Sequence, residues 1–494
     1  MSLSKDYVFK VIRASRRISR EIYRFFMIIS NKWYFHYRIK KQILKKYERL
    51  KKVLWEDPID ISLKPDLNVV IITIDCLRAS NLSLYGHFRK TTPFIDSIKG
   101  SKFKAISASN WTYPSVMSIL SGLYPHNHGA ILSGHIKHLG KNAKSLLKPR
   151  GDVVTLPEIL FLLGYDVYFL TAISVAYLPF CNYVALYLCD FWNSLEVFKT
   201  FLKAIEMNKS RRFFAYIHLG DLHEPLNPPD AFKNILGKVE NLPNINTWAF
   251  KKPEEQRGER YQKYVYNRVL LYDNTLRYVD YAIQRFYEIL ESKGLLDSTI
   301  LIITSDHGEE FWEHAEMEAQ YFYDPRGYCG IGHGHNMFNE IIEVPLILSG
   351  PRIPNRRINR YVSGVDVFPT VLELLGVTYK LHLDGTNLFR GTDKRELLSE
   401  SCAYGFEKKA LLKGNLKLLY SQGDGVAWAF DLHKDPREMS PIVDENTLSK
   451  LLYSLRAALA RSIVARKLTK LRRKWAKGGT QILSKGKLHR HQPL

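Results

Sequence analysis

Four short apolar runs, each followed by residues suited to holding a charged ligand, constrain this chain more than any other feature. Residues 68–74 (NVVIITI), 213–217 (FFAYI), 299–304 (TILIIT) and 344–348 (VPLIL) are almost unbroken apolar stretches of strand length. A strand that is apolar on both faces must be covered on both, as in a parallel sheet packed between helices. Helical stretches separate the runs, and the longest, over 264–293, contains no proline and no glycine. The alternation predicts an α/β fold with a largely parallel central sheet and helices on both faces. Beyond residue 380 the strand-like pieces shorten, as at 416–420 and 428–432, and predict a small appended sheet.

The residues after the runs carry the chemistry. Asp75 follows the first, His218 and then His223 the second, and Asp306 with His307 the third. In open α/β sheets ligands bind beyond the carboxyl ends of the strands, so residues far apart in sequence can converge there. Asp75, Asp306 and His307 are oxygen and imidazole ligands of the kind that hold a divalent cation. A lone aspartate at a strand end is more often a cap or turn residue. The run TSDHGE over 304–309 is harder to dismiss, because one strand delivers two adjacent ligands and then a glycine that lets the backbone turn away. Between these sites Thr112 and Ser115 precede an apolar helical stretch over 116–120. A hydroxyl there is usually a cap. The same position also offers backbone N–H groups and a positive dipole end to an anionic ester.

Charge resolves into arms and body. The chain has 72 Lys/Arg against 49 Asp/Glu, yet residues 1–55 hold 16 bases and 3 acids and residues 456–494 hold 12 bases and no acid. The centre is left at net −2, without the continuous basic track a polynucleotide needs, so nucleic acid is an unlikely partner. Apolar residues from Val8 to Ile29 recur at three- and four-residue steps between arginines, which reads as a basic amphipathic helix. Such a helix suits an anionic membrane surface, where each Lys/Arg gains roughly 1 kcal/mol. The alternative is a helix docked on the body or on a sister subunit. No signal-peptide pattern is visible in the first 55 residues. Residues 167–189 are 23 uncharged residues, long enough to span a bilayer, but Pro179 and Asn182 interrupt them and they begin as a strand. The expected location is therefore cytoplasmic, with peripheral attachment to the inner membrane surface. Five cysteines without CxxC spacing exclude a disulfide framework or zinc ribbon. The chain divides into a basic helical arm (1–64), a catalytic domain (65–380), a small C-terminal subdomain (381–450) and a basic tail (451–494).

From about residue 66 to about 445 the sequence resembles the sulfatase branch of the alkaline-phosphatase superfamily. The resemblance is carried by IDCLR at 74–78, LYG at 84–86, TYPS at 112–115, LSGLYPH at 120–126, HEP at 223–225, SDHGE at 305–309, HGH at 333–335, VDVFPT at 365–370 and DLHKDPRE at 431–438. The departures bear on activity. Family sulfatases convert a Cys or Ser in C/S-x-P-S-R to formylglycine, whereas this chain has Thr112-Tyr113-Pro114-Ser115-Val116. A threonine cannot yield that aldehyde, so no formylglycine is expected. The motif's arginine is Val116, the usual Lys and His after Gly-Tyr are Ala172 and Ser174, and the usual second aspartate is Cys76.

What remains looks like threonine-nucleophile members that handle phosphoesters. The resemblance implies one divalent metal (Mn, Zn, Mg or Ca) held by Asp75, Thr112, Asp306 and His307, with Thr112 as nucleophile of a covalent intermediate. His223 and His333 match positions that contact the transferred group or protonate the leaving oxygen, a structural role being the alternative. His314 and His335 are weaker candidates, because 315–332 reads as an insertion. The implied function is a metal-dependent hydrolase or transferase acting on phosphate or sulfate esters, with a small-molecule or lipid-linked anionic ester as substrate. Two other readings are a true sulfuric ester hydrolase and a non-catalytic membrane-surface or nucleic-acid-binding protein.

Overall fold

The computed structural model describes residues 44–48, 59–60, 62–63, 65–140, 145–173, 186–189, 193–208, 212–390 and 395–460. The expected amphipathic helix over 8–29, the basic stretch over 466–477 and Ser174 lie outside them.

The apolar runs form strands of one eight-stranded sheet: β1 (Asn68–Ile74), β2 (Ser101–Ile106), β3 (Asp166–Thr171), β4 (Leu186–Cys189), β5 (Phe213–Leu219), β6 (Thr299–Thr304), β7 (Glu343–Ser349) and β8 (Arg356–Ser363). Their spatial order is β8-β2-β7-β6-β1-β5-β3-β4. Among the described strands β7 alone runs against the rest, pairing antiparallel with both β2 and β6. The first and third runs coincide with β1 and β6, while β5 and β7 extend one or two residues past the apolar stretch.

Alternation along the strands sends side chains to two cores. Val69, Ile71, Ile300 and Ile302 share one with helices α1 (Thr112–Ser121), α2 (Leu156–Leu162) and α5 (Val367–Leu374). Val70, Ile72, Leu301 and Ile303 share the other with α3 (Ser194–Asn208) and α4 (Gly258–Ser292). Every residue of β1 is buried, and each large aliphatic among them contributes about 1.5–3 kcal/mol by burial. Helix α4 begins at Gly258, earlier than the sequence suggested. The expected C-terminal sheet is four antiparallel strands, Glu396–Glu400, Lys409–Lys413, Leu416–Ser421 and Val426–Asp431. A helix over 445–460 packs Leu451 and Leu455 onto it, so the start of the expected basic tail is continuous with the subdomain.

Two pieces of the expected N-terminal arm pack on the body. Tyr47 is buried with the core of the first face, Lys46 Nζ lies 2.7 Å from Glu158, and Ile59 bridges to Tyr379. No described helix is long and apolar enough to cross a membrane. The 167–189 stretch contributes strands β3 and β4 rather than one long element.

Candidate metal centre and threonine site

Strand register brings the site together. Thr73 in β1 lies opposite both His218 in β5 and Thr304 in β6. Asp75 and Asp306 each follow two residues later, so they and His218 meet at the carboxyl edge of three adjacent strands. His218 Nε2 is 3.3 Å from Asp306 Oδ2 and 4.0 Å from Asp75 Oδ2, and all three residues are fully buried. Ser305 joins the two turns: its hydroxyl lies 2.6 Å from the carbonyls of Ile74 and His307 and accepts the Leu77 N–H at 3.1 Å. Cys76 adopts a left-handed backbone (φ 61°), and its carbonyl accepts the Tyr272 hydroxyl at 2.7 Å. A non-glycine residue in this region is uncommon and suits a chain that must bend sharply beside a ligand.

Gly308 follows His307 for a reason of space rather than flexibility. Its backbone does not have positive φ, but a Cβ there would sit 2.0 Å from the Glu340 carbonyl oxygen. The glycine lets the turn press against the neighbouring chain, where Gly308 N–H donates to Ile341.

Thr112 is the first residue of α1 and is buried. Its Oγ1 lies 3.2 Å from His307 Nε2. Ser107 anchors this helix entry to the Asp306 turn: its hydroxyl lies 3.1 Å from Ser115 Oγ and also contacts the Asp306 carbonyl. Val116, where the family motif has arginine, is wholly buried in the core of that face, and Ala172 is likewise buried.

His307 Nδ1 donates to the Gly308 carbonyl at 2.8 Å, a contact that places a proton on Nδ1 and turns Nε2 toward the carboxylates. That nitrogen faces Asp75 Oδ1 at 3.3 Å and Asp306 Oδ2 at 3.6 Å. Three acceptors turned toward one another repel unless a cation or protons lie between them. Asp75 Oδ2 is also buried without a hydrogen-bond partner. The donor set of two carboxylates and two imidazoles therefore fits a divalent cation. Burial opposes charging Asp306, but His307 and His218 outweigh it and lower its pKa. Burial likewise opposes protonating His218, and Asp306 and Asp75 outweigh that and raise it.

Two further histidines stand beside this cluster. The His333 ring lies 4.2 Å from that of His307 and 5.4 Å from that of His223. His333 Nδ1 is 2.8 Å from Glu309 Oε1 and 3.6 Å from Cys76 Sγ. Burial and the neighbouring His307 lower the His333 pKa. Burial also disfavours the charged form of His223, but Asp75 and Glu309 overcome this and raise it.

All six site residues expected from sequence, Asp75, Thr112, His223, Asp306, His307 and His333, thus gather at one end of the sheet. His218 was visible as a strand-end histidine but had no assigned role, and the register supplies it. His314 and His335 belong to a different cluster, paired with Glu340 and with Glu310 and Glu318.

The comparisons agree with this architecture. The chain is 25% identical over 284 residues to an arylsulfatase of Clostridium perfringens, covering 52% of this chain and 54% of that protein. It is 31% identical over 175 residues to arylsulfatase K of Xenopus laevis, covering 32% and 30%. It therefore spans about half the length, or less, of these relatives. Among solved structures, a phosphonate monoester hydrolase of Agrobacterium radiobacter superposes with a TM-score of 0.59 at 17% identity, over 80% of this chain and 96% of that one. A 2-O GAG sulfatase superposes with a TM-score of 0.59 at 17% identity, over 82% and 93%. These structural likenesses concern the fold. The sulfatase family model matches residues 67–377, from the first strand through α5 and across every residue of the site, and the chain belongs to the sulfatase family.

Proposed function

We propose that this protein is a metal-dependent phosphoester hydrolase or phosphotransferase that uses Thr112 as its nucleophile. The observation that carries the reading is the position of Thr112 Oγ1, 3.2 Å from His307 Nε2 at the N-terminus of a buried helix. Asp75, Asp306, His307 and His218 would hold one divalent cation. When bound, that cation would lower the pKa of the Thr112 hydroxyl and offset charge on the ester oxygens.

Thr112, its proton released to water, attacks phosphorus, and the bond from phosphorus to the leaving oxygen breaks. The leaving oxygen takes a proton from His223 or His333, the two imidazoles at the rim. Thr112 is left as a phosphate ester. Water or an acceptor hydroxyl then attacks that phosphorus, returns a proton to the histidine and frees Thr112. Glu309 holds His333 by its Nδ1 and so fixes which nitrogen faces the pocket.

The preference for phosphorus over sulfur follows from what the site lacks. Threonine cannot form the aldehyde hydrate whose collapse clears a sulfated enzyme, and Val116 takes the place of an anion-binding arginine. The arylsulfatase relatives favour the second reading, a sulfuric ester hydrolase. Matched assays with an aryl phosphodiester and an aryl sulfate decide between them. A phosphoesterase rate at least tenfold the sulfatase rate, with a phosphoryl adduct on Thr112 in the intact mass, supports the proposal. A faster sulfatase reaction reverses it.

The basic arms would bring this site to a lipid-linked substrate on an anionic membrane. Support comes from the arms' charge and the apolar stripe from Val8 to Ile29. Co-sedimentation with anionic vesicles should occur at low salt, weaken as salt rises, and disappear when 1–40 and 461–494 are deleted. Failure of the full-length protein to bind such vesicles at low salt rejects this role.

A further inference from the structure

A second group of buried ligands lies behind the catalytic turn. Glu310, Glu318 and His335 are all at least 95% inaccessible, and they come from three segments: the strand after the catalytic turn, the short helix Ala315–Tyr321 and the loop after His333. His335 Nε2 lies 3.1 Å from Glu310 Oε2 and 3.1 Å from Glu318 Oε1. Ligands about 2.0–2.2 Å from a common ion at near-tetrahedral angles stand roughly 3.3–3.6 Å apart. The imidazole nitrogen stands 3.1 Å from one oxygen of each carboxylate, a few tenths of an ångström inside this separation.

Further contacts hold the two carboxylates in place, while His335 Nδ1 is buried without a hydrogen-bond partner. The His314 N–H donates to Glu310 Oε1 at 3.1 Å, leaving Oε2 turned toward His335. Glu318 Oε2 accepts the Gly330 N–H at 2.6 Å, and the Asn336 side chain donates to Oε1 at 2.7 Å. Such supporting contacts orient ligands around metals. His314 is different. Its Nδ1 meets Glu340 and its Nε2 lies 2.9 Å from the Arg437 carbonyl, so both nitrogens face acceptors and the ring is an imidazolium paired with Glu340.

Charge points to a dication. Glu310, Glu313, Glu318, Glu340 and Glu438 crowd this region, and the basic groups facing them are Arg78 on Glu313, Lys417 on Glu438, His314 and His335. With both histidines protonated and all five carboxylates ionised the group carries one excess negative charge, costly where it is buried; without an ion it is offset by a proton on Glu310, whose pKa burial and Glu318 push up to about 8. A divalent ion with neutral His335 brings it to zero. We propose that Glu310, Glu318 and His335 bind a second divalent cation, of the Zn²⁺ or Mn²⁺ class that accepts mixed imidazole and carboxylate ligands. Glu310 adjoins Glu309, which holds His333, so this ion would brace the rim of the active site from behind.

The experiment uses the full-length protein, stripped with chelator and repleted with Zn²⁺ alone, with metal content read by plasma mass spectrometry and folding by circular dichroism. Asp75→Asn/Asp306→Asn removes the catalytic carboxylates and should still retain one Zn²⁺ per chain, with a raised Tm on repletion. Adding Glu318→Gln/His335→Gln should remove that ion and the shift in Tm. Should that combination not fold, Glu318→Gln alone keeps its size and one of its two accepted hydrogen bonds and should weaken the second Zn²⁺ at least tenfold. A folded Asp75→Asn/Asp306→Asn protein that binds no Zn²⁺ overturns the proposal. So does unchanged stoichiometry and affinity in the Glu318 and His335 variants, which would make the cluster a proton-linked ion network. Neither result bears on the Thr112 reading, which uses other residues.

Discussion

Two clusters of histidine and carboxylate flank the turn over 306–310, and they differ in what faces them. The front cluster, Asp75, His218, Asp306 and His307, has the Thr112 hydroxyl at its mouth and two more imidazoles at its rim. The rear cluster, Glu310, His314, Glu318, His335 and Glu340, meets backbone, Asn336, other ion pairs and the Phe338 ring stacked on His314. Similar residue types therefore do not imply similar work. Under the proposal above, the Thr112 hydroxyl within reach makes the front cluster the site for chemistry, whereas no such hydroxyl is among the described contacts of the rear.

The sharpest way to break this distinction is Thr112→Ala. Turnover should fall by at least about a thousandfold, while Tm and metal content stay near wild type, because threonine is one contact among several. Activity above a few per cent would return the front cluster to a structural role. His218→Ala tests the residue supplied by the register. It should lower metal affinity and turnover together, by about 10- to 100-fold, since ligand-shell losses typically have that size. Unchanged metal content would remove His218 from the site. Glu318→Gln is the counterpart behind, and should leave kcat within a few-fold while Tm drops.

Buried histidines give the two sides opposite pH signatures. His128 braces the helix that carries Thr112: its Nε2 lies 3.0 Å from Ser118 Oγ, and its Nδ1 accepts the Ala130 N–H at 3.0 Å. Burial pushes its pKa down to about 3 from an ordinary 6.5. The unfolded chain thus binds more protons between those values, and stability falls as pH drops through the window, by roughly 2 kcal/mol between pH 6.5 and 5. For His314 burial opposes the charge, but Glu340 outweighs it and holds the pKa at about 10. Its contribution is complete below pH 6.5 and is lost as pH rises toward 10. Denaturant titrations across pH should show His128→Asn flattening the acid limb and His314→Asn flattening the alkaline limb. If the effects are exchanged or absent, the protonation states assigned here are wrong.

The smallest expected effect is that of Ser305→Ala, which unties the first turn from the third. Loss of a buried hydroxyl linking several backbone groups costs about 1–3 kcal/mol, and metal affinity should slacken with it. A variant equal to wild type in both would show that strand register alone sets the distance from Asp75 to Asp306.

The sequence by itself determined four strands of the sheet and the residues that gather at their ends, while β2, β4 and β8 were not read from it. Nearly unbroken apolar runs can only be strands covered on both faces, so β1 and β6 were legible to the residue, and the groups just past their ends were placed with them. The resemblance to the sulfatase family added Thr112, His223 and His333. Tertiary structure decided the rest. The part of His218 depends on which strands are neighbours and in what register, and neither is written in its local context. Glu309 and Glu310 are adjacent, yet one pairs with His333 in front and the other with His335 behind. Two histidines separated by one residue would share a face of a regular strand. Here Gly334 between them takes a left-handed backbone (φ 82°), its N–H donating to the Asn110 carbonyl at 2.8 Å, and the chain swings the second histidine away. Glu318 reaches that histidine from the segment 315–332, whose place in the fold could not be read from its letters. Strand formation is local and follows the pattern of side chains, whereas pairing across space follows from how distant segments pack.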